Sequence, residues 1–248
     1  MWKNQKVSVI LPTYNEKDSI RAVINAFFDT GYVDEVIAVN NNAAAGTSEE
    51  ILQTRAIQII ETKQGYGYAL QAGLCAATGE LLVLCEPDGT FEAADILKLL
   101  VYSDDFDCVW GTRTNVALIS HGANMEWYMR FGNVLVAKLL QNLFNTSRLT
   151  DVGCTYKLMK RHVHSSIKDK FTIGSSHFGP ELMLLTIVHG FSLVEIPLSY
   201  HERVGVSMVT GSMMKTFNLA LRMILLIITV FFTSLGSRSK RPVFSKKI

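Results

Sequence analysis

Only four of the 248 residues are cysteines, and no two stand in a Cys-x-x-Cys spacing. That excludes a zinc ribbon, a redox dithiol of the Cys-x-x-Cys kind and a dense disulfide framework. Three of Cys75, Cys85, Cys108 and Cys154 lie in apolar stretches, so buried, reduced thiols in a reducing compartment are expected. Prolines number five, and no Pro-, Gly- or Ser-rich linker and no repeat interrupts the chain. One domain followed by a tail is therefore expected. Charge of either sign is scarce in the balance: the formal net charge is +2, which gives no general nucleic-acid-binding surface. The opening "MWKNQKVSVILPTYNE" has too short an apolar run for a secretory leader. The long apolar run comes late, at 217–235, followed by Arg238, Lys240, Arg241, Lys246 and Lys247 with no acid among them.

What is abundant is apolar residue, 48% of the chain, laid out in alternation. Strand-like runs at 6–12, 34–40, 56–62, 80–86 and 106–113 alternate with helical runs at 18–31, 47–54, 65–79 and 92–103. Gly31 and Gly79 act as stops, and Thr47 with Glu50 reads as a capping box. Strands separated by short helices imply βαβ crossovers and a mainly parallel sheet flanked by helices, an α/β fold. Further on, 125–146 reads as a long helix, 151–161 as a turn and a strand-like stretch, 178–190 as a helix and 191–200 as a strand.

Ligands of such sheets sit at the carboxyl ends of the strands. The polar residues fall there: the first strand ends in "PTYNE", the second in "NNN", the fourth in "EPDG" and the fifth in "GTR". In "LCEPDGTF", Glu86 and Asp88 stand at i and i+2 of an extended run and so face the same way. Two carboxylates facing one spot repel each other unless a cation sits between them. On spacing alone a solvated turn cap is the favoured reading of the pair; the polar ends of the other strands turn the balance toward a cation. "GYGYA" lacks the third glycine of a dinucleotide fingerprint and follows the third strand, not the first.

In order and spacing these segments resemble the family-2 glycosyltransferases with a GT-A (Rossmann-like) fold, and particularly the polyprenyl-phosphate sugar synthases of the dolichol-phosphate mannose type. The resemblance covers roughly residues 6 to 210. "VSVILPTYNE" is similar to that family's opening strand, "VNNNAAAGT" to its second-strand segment, "EPDG" to its DxD motif and "GTR" to its "GSR". "DVGCTYKLMKR" falls in its acceptor-side region, and "GPEL" with "GFSLVEIPLSYHERVGVS" is similar to its closing stretch.

The resemblance implies an inverting transferase that moves a hexose from a UDP- or GDP-linked sugar to a polyprenyl phosphate at the cytoplasmic face of the cell membrane. Asp88 and Glu86 would hold Mg²⁺ or Mn²⁺, because hard cations prefer carboxylate oxygens and neutralise the departing diphosphate. Pro12, Tyr14, Glu16 and Asn40 would take the base and ribose. Gly65 and Gly67 would let a helix N-terminus approach the phosphates. Arg113 and Arg203 would clamp phosphate, with Gly205 in a loop over the diphosphate. Asp151 is the candidate base for a hydroxyl acceptor; a phosphate acceptor, already an anion, needs none. With Asp88 and Arg113, it completes the expected catalytic set. Glu181 is a second acidic candidate.

Asn40 and Ala45 stand where the family has acids, which leaves the nucleotide base undefined. Transfer to a glycan hydroxyl, or a nucleotide-sugar-binding protein without catalysis, are the competing readings. The expected division is a transferase domain at 1–211 and a membrane-associating helix with a basic tail at 212–248. Five basic residues beyond the helix argue against a single span from a cytoplasmic domain, so a helix lying in or re-entering the interface is favoured. A spanning helix and a core or oligomer helix remain open.

Overall fold

Seven strands form one sheet in the order β3-β2-β1-β4-β6-β5-β7. They are β1 (Val7–Thr13), β2 (Glu35–Asn40), β3 (Ile57–Ile60), β4 (Leu81–Leu84), β5 (Cys108–Thr112), β6 (Lys157–Lys160) and β7 (Leu193–Pro197). The computed structural model describes residues 1–123, 127–205 and 213–235. The helices are α1 (Lys17–Asp29), α2 (Thr47–Leu52), α3 (Tyr66–Ala76), α4 (Ile96–Tyr102), α5 (Trp127–Phe144), α6 (Arg161–Ile167), α7 (Phe178–Val188) and α8 (Met213–Leu235).

β1 is buried at every residue, as expected of a parallel strand covered on both faces. Its alternation sorts the two cores: Val7, Val9 and Leu11 face α1 and α4, while Ile10 faces α3. α1 fits because Ile20, Ile24 and Phe27 recur at helical spacing and are buried. Gly31, at φ +74°, turns the chain out of α1 into β2. The opposite face of the sheet is covered by α3, α5, α6 and α7, and α8 adds Met223 and Ile227 to that same core.

The mainly parallel sheet and three buried, free thiols are as expected, and one detail, the start of α2, differs from the sequence reading. β6 runs antiparallel between β4 and β5, so the sheet is mixed. No capping box forms at α2: Gly46, at φ +89°, is the cap, the buried Thr47 hydroxyl has no partner, and Glu50 pairs with Arg21. Cys85, Cys108 and Cys154 are buried and Cys75 is exposed, all four free. The expected boundary at 211/212, the basic tail after 235 and the first residues of the long helix at 125 lie outside the described residues.

Candidate active site

The carboxyl ends of β1 and β4, the loop after β5 and the segment after β7 converge on a cavity of about 560 Å³. At one end stands Arg203. Its guanidinium meets Glu16 Oε1 at 3.2 Å, Asp88 Oδ2 at 3.2 Å and Glu86 Oε2 at 3.9 Å. Residues 200–204 are tied to the β4 loop, with Val204 N donating to Asp88 O at 2.9 Å and His201 N to Thr90 O at 2.8 Å. Arg203 is thus held among three carboxylates, and the chain up to Val204 is pinned by these backbone hydrogen bonds.

Glu86 and Asp88 do address one spot, although they lie in the loop beyond β4 rather than on an extended strand. Asp88 is buried, and its Oδ1 accepts from Thr90 N at 3.0 Å and Thr90 Oγ1 at 2.6 Å. Oδ2 faces the Arg203 guanidinium. Burial, and then the charge of Asp88, push the Glu86 carboxyl up to about 8, against the opposing pull of Arg203. A carboxyl raised this way beside a second carboxylate fits a cation of hard-oxygen preference. No group of three or more His, Cys, Asp or Glu that could hold a metal occurs among the described residues. Two carboxylates suit an ion that draws its remaining ligands from a diphosphate and water.

Arg113, carried by the turn after β5, also lines the cavity. Asp151 holds it in two-pronged fashion, Nε to Oδ2 at 2.8 Å and Nη2 to Oδ1 at 2.9 Å. The amides of Arg113 and Gly153 donate to the same carboxylate at 3.0 and 2.9 Å. Asp151 is fully buried. Burial would raise its carboxyl, but Arg113 outweighs this and holds it below the usual range. Both oxygens are committed and the residue does not line the cavity, so it is not placed as a free base. Its geometry is that of a residue positioning Arg113. Glu181 is likewise committed, accepting from Thr172 N, Thr172 Oγ1 and Ile173 N.

Pro12, Tyr14, Glu16 and Gly65 line the cavity. Glu16 Oε2 accepts from the amides of Tyr14 and Asn15 at 2.7 and 2.9 Å, which shapes the β1 loop. Asn40 does not line it: the side chain bridges Ser48 Oγ and Ala43 N and holds the β2 loop closed. Its neighbour Asn41 does, and its Oδ1 takes the Gly65 amide at 2.8 Å. Gly67 corrects another expectation. Its amide donates to Gly174 O at 2.9 Å, and a Cβ there would stand 2.5 Å from Ile173 O. The close approach is to the 173–174 loop, not to a phosphate.

Sequence reasoning missed Tyr66, Tyr200, Lys157 and the α5 and α8 residues that line the other end of the cavity: Tyr128, Met129, Gly132, Leu219, Ala220 and Met223. Lys157 carried a signal. Alternation along β6 puts it on the core face with Met159, where a lysine is out of place.

Mixed sheet, polar strand ends and paired carboxylates beside two arginines define an α/β enzyme of the GT-A fold. The chain belongs to glycosyl transferase family 2, which matches residues 8–167. It is 30% identical to an uncharacterized glycosyltransferase of Mycobacterium tuberculosis over 211 residues, 84% of this chain and 91% of that one. It is 28% identical to a dolichyl-phosphate hexose transferase of Haloferax volcanii, over 80% of this chain and 84% of that one. The fold is that of glucosyl-3-phosphoglycerate synthase from M. tuberculosis, solved with Mn²⁺, uridine diphosphate and phosphoglyceric acid. TM-score is 0.69 at 17% identity, covering 97% of this chain and 80% of the other.

Proposed function

We propose that this glycosyltransferase moves a hexose, with inversion, from a nucleoside-diphosphate sugar to a polyprenyl phosphate at the cytoplasmic face of the membrane. One observation carries the reading: a single cavity joins the Glu86–Arg203 cluster to Leu219, Ala220 and Met223 on the apolar helix α8. A donor diphosphate suits the charged end and an isoprenoid chain the apolar end. The Haloferax relative, by its name, acts on dolichyl phosphate.

Pro12, Tyr14 and Glu16 form the nucleotide side of the cavity, and Arg203 and Arg113 supply guanidinium forks for phosphate oxygens. Asp88 and Glu86 would hold Mg²⁺ or Mn²⁺, which, when bound, neutralises charge on the departing diphosphate. Arg203 already spans the carboxylates of Glu16 and Asp88, so it can swing to the diphosphate as the carboxylates take a metal. With Asp151 tied to Arg113, an acceptor that is already an anion fits better than a hydroxyl awaiting a base.

The 18 residues Phe217–Ser234 have a mean hydropathy of 1.9 and are 11% buried, which suits a helix at or in a bilayer. The test supplies radiolabelled UDP- and GDP-hexoses, a polyprenyl phosphate and Mn²⁺. Label should enter a solvent-extractable lipid and require the metal. Label appearing only in a soluble glycan would remove the lipid acceptor.

A further inference from the structure

Lys157 is 2% exposed, yet it lines the same cavity. It stands at the first position of β6, paired with Leu84 of β4 and Trp110 of β5, with its side chain among the core residues beneath α7. Its Nζ donates to Met183 Sδ at 3.5 Å and lies 5.2 Å from the centre of the Trp110 ring. A thioether and an aromatic face are weak partners for an ammonium with three protons to give. Every carboxylate near it is used elsewhere. Asp151 is consumed by Arg113 and the Gly153 amide. Glu195 accepts from Thr150 N, Thr150 Oγ1 and Asp151 N at 2.7, 2.6 and 2.9 Å. The Cys154 thiol, pushed up to about 12 by burial, is neutral.

An isolated buried ammonium is costly to maintain. Burial lowers the Lys157 pKa; the charges of Asp151 and Glu195 offset this only in part, and Arg113 adds a smaller push downward. Arg113 and Lys157 thus line one chamber, the arginine with a carboxylate that it holds in two-pronged fashion and the lysine with no carboxylate hydrogen-bonded to its Nζ. The start of α7 and the loop before it close that side: Gly179 and Ser176 line the chamber, and a Cβ on Gly179 would stand 4.0 Å from Lys157 Cε. The missing side chain at Gly179 keeps space open over the lysine.

We propose that Lys157 is the anion-binding residue of the acceptor subsite, holding the phosphate monoester of the acceptor against Arg113. This rests on the phosphate-acceptor reading above and adds the residue that selects for it. An anion between the two groups gives the ammonium its hydrogen bonds. The acceptor oxygen is then fixed on the floor of the cavity while the isoprenoid chain runs toward α5 and α8.

The test is binding of farnesyl phosphate, farnesol and 3-phosphoglycerate to the full chain loaded with Mn²⁺ and UDP. Calorimetry and tryptophan quenching report on wild type, Lys157→Met and Lys157→Arg. Lys157→Met should weaken farnesyl phosphate binding by about tenfold or more, the loss of one charged hydrogen-bonding partner. Farnesol and UDP affinities should stay level, and Lys157→Arg should restore most of the loss. The melting temperature of Lys157→Met should hold or rise, because an unpaired buried charge has been replaced by an apolar group of similar length. A fall in melting temperature, equal farnesyl phosphate binding in wild type and Lys157→Met, or a parallel loss of farnesol would each overturn the proposal. If farnesyl phosphate does not bind but 3-phosphoglycerate binds in a Lys157-dependent way, the anion site stands and the lipid acceptor falls. If neither phosphate ester binding depends on Lys157, the anion site falls, whatever the donor does.

Discussion

Glu86 takes up a proton on folding. Its carboxyl moves from 4.5 to about 8, by burial first and by Asp88 second. The native state thus binds the proton more tightly than the unfolded one, so this group's contribution is intact below about 4.5. It declines as pH rises toward 8, because the unfolded chain gains from ionising Glu86 and the native chain does not. Metal-free protein should therefore lose stability to urea between pH 5 and pH 8, and Glu86→Gln should flatten that slope. Mn²⁺ with UDP should flatten it as well, by making the ionised form welcome. A slope unchanged in Glu86→Gln would mean that the carboxyl is not the group responsible. Asp151 leads to the opposite kind of expectation. It is ionised, buried and committed to Arg113. Asp151→Asn removes one partner of a buried pair and should cost about 3 kcal/mol in chemical denaturation, with activity lost alongside. Loss of activity at full stability would instead restore Asp151 as a base.

Among the elements, those with a parallel partner were the legible ones. β1, β2 and β4 are continuous apolar runs that stop in polar residues, and a sheet covered on both faces requires that pattern. The carboxylates and arginines of the site could be named for the same reason: they sit where such strands end. β6 was harder to place, because "KLMK" is four residues long with a lysine at each end, and nothing local fixes its direction. The Arg113–Asp151 pair was illegible because its members are 38 residues apart and each suggests a different partner, a phosphate for the arginine and an acceptor proton for the aspartate. Gly67 misled for a different reason. A glycine at a helix N-terminus suits a phosphate and suits a close-packed loop equally, and only the approach of Gly174 decides between them. Gly67→Ala would set a Cβ 2.5 Å from Ile173 O and 2.8 Å from the Gly174 carbonyl carbon, both backbone. It should destabilise the protein by about 1–3 kcal/mol, by forcing the 173–174 loop off α3. The same loop is held by Glu181 and Gln71, so the strain has little room to relax. A variant as stable as wild type in urea would show that the packing there is loose.

Across the whole molecule, α8 has two faces with different tasks. Leu219, Ala220 and Met223 close the cavity, and Met223 and Ile227 are buried in the main core. The opposite face carries Phe217, Leu221, Leu225, Ile228 and Phe232, exposed by 38–68%. Neighbouring α5 exposes Trp127, Phe131 and Leu135 at helical spacing. A stripe of this length is more apolar surface than a monomer in water usually leaves bare. On the proposed function it meets lipid, so that an acceptor can pass from the bilayer into the cavity beside the same helix. Leu221→Glu combined with Leu225→Glu separates the two faces. Both side chains point away from the core, so the melting temperature and the affinity for UDP with Mn²⁺ should stay close to wild type. The partition constant onto anionic phosphatidylglycerol vesicles, read by sedimentation, should fall by about a hundredfold or more, since two buried apolar side chains contribute about 1.5–3 kcal/mol each. Turnover should fall on acceptor presented in vesicles and persist on a short, detergent-soluble acceptor. Equal losses on both acceptors would place the stripe in the fold or in a contact between copies of the chain, because a purely lipid-facing surface has no bearing on an acceptor that arrives through water.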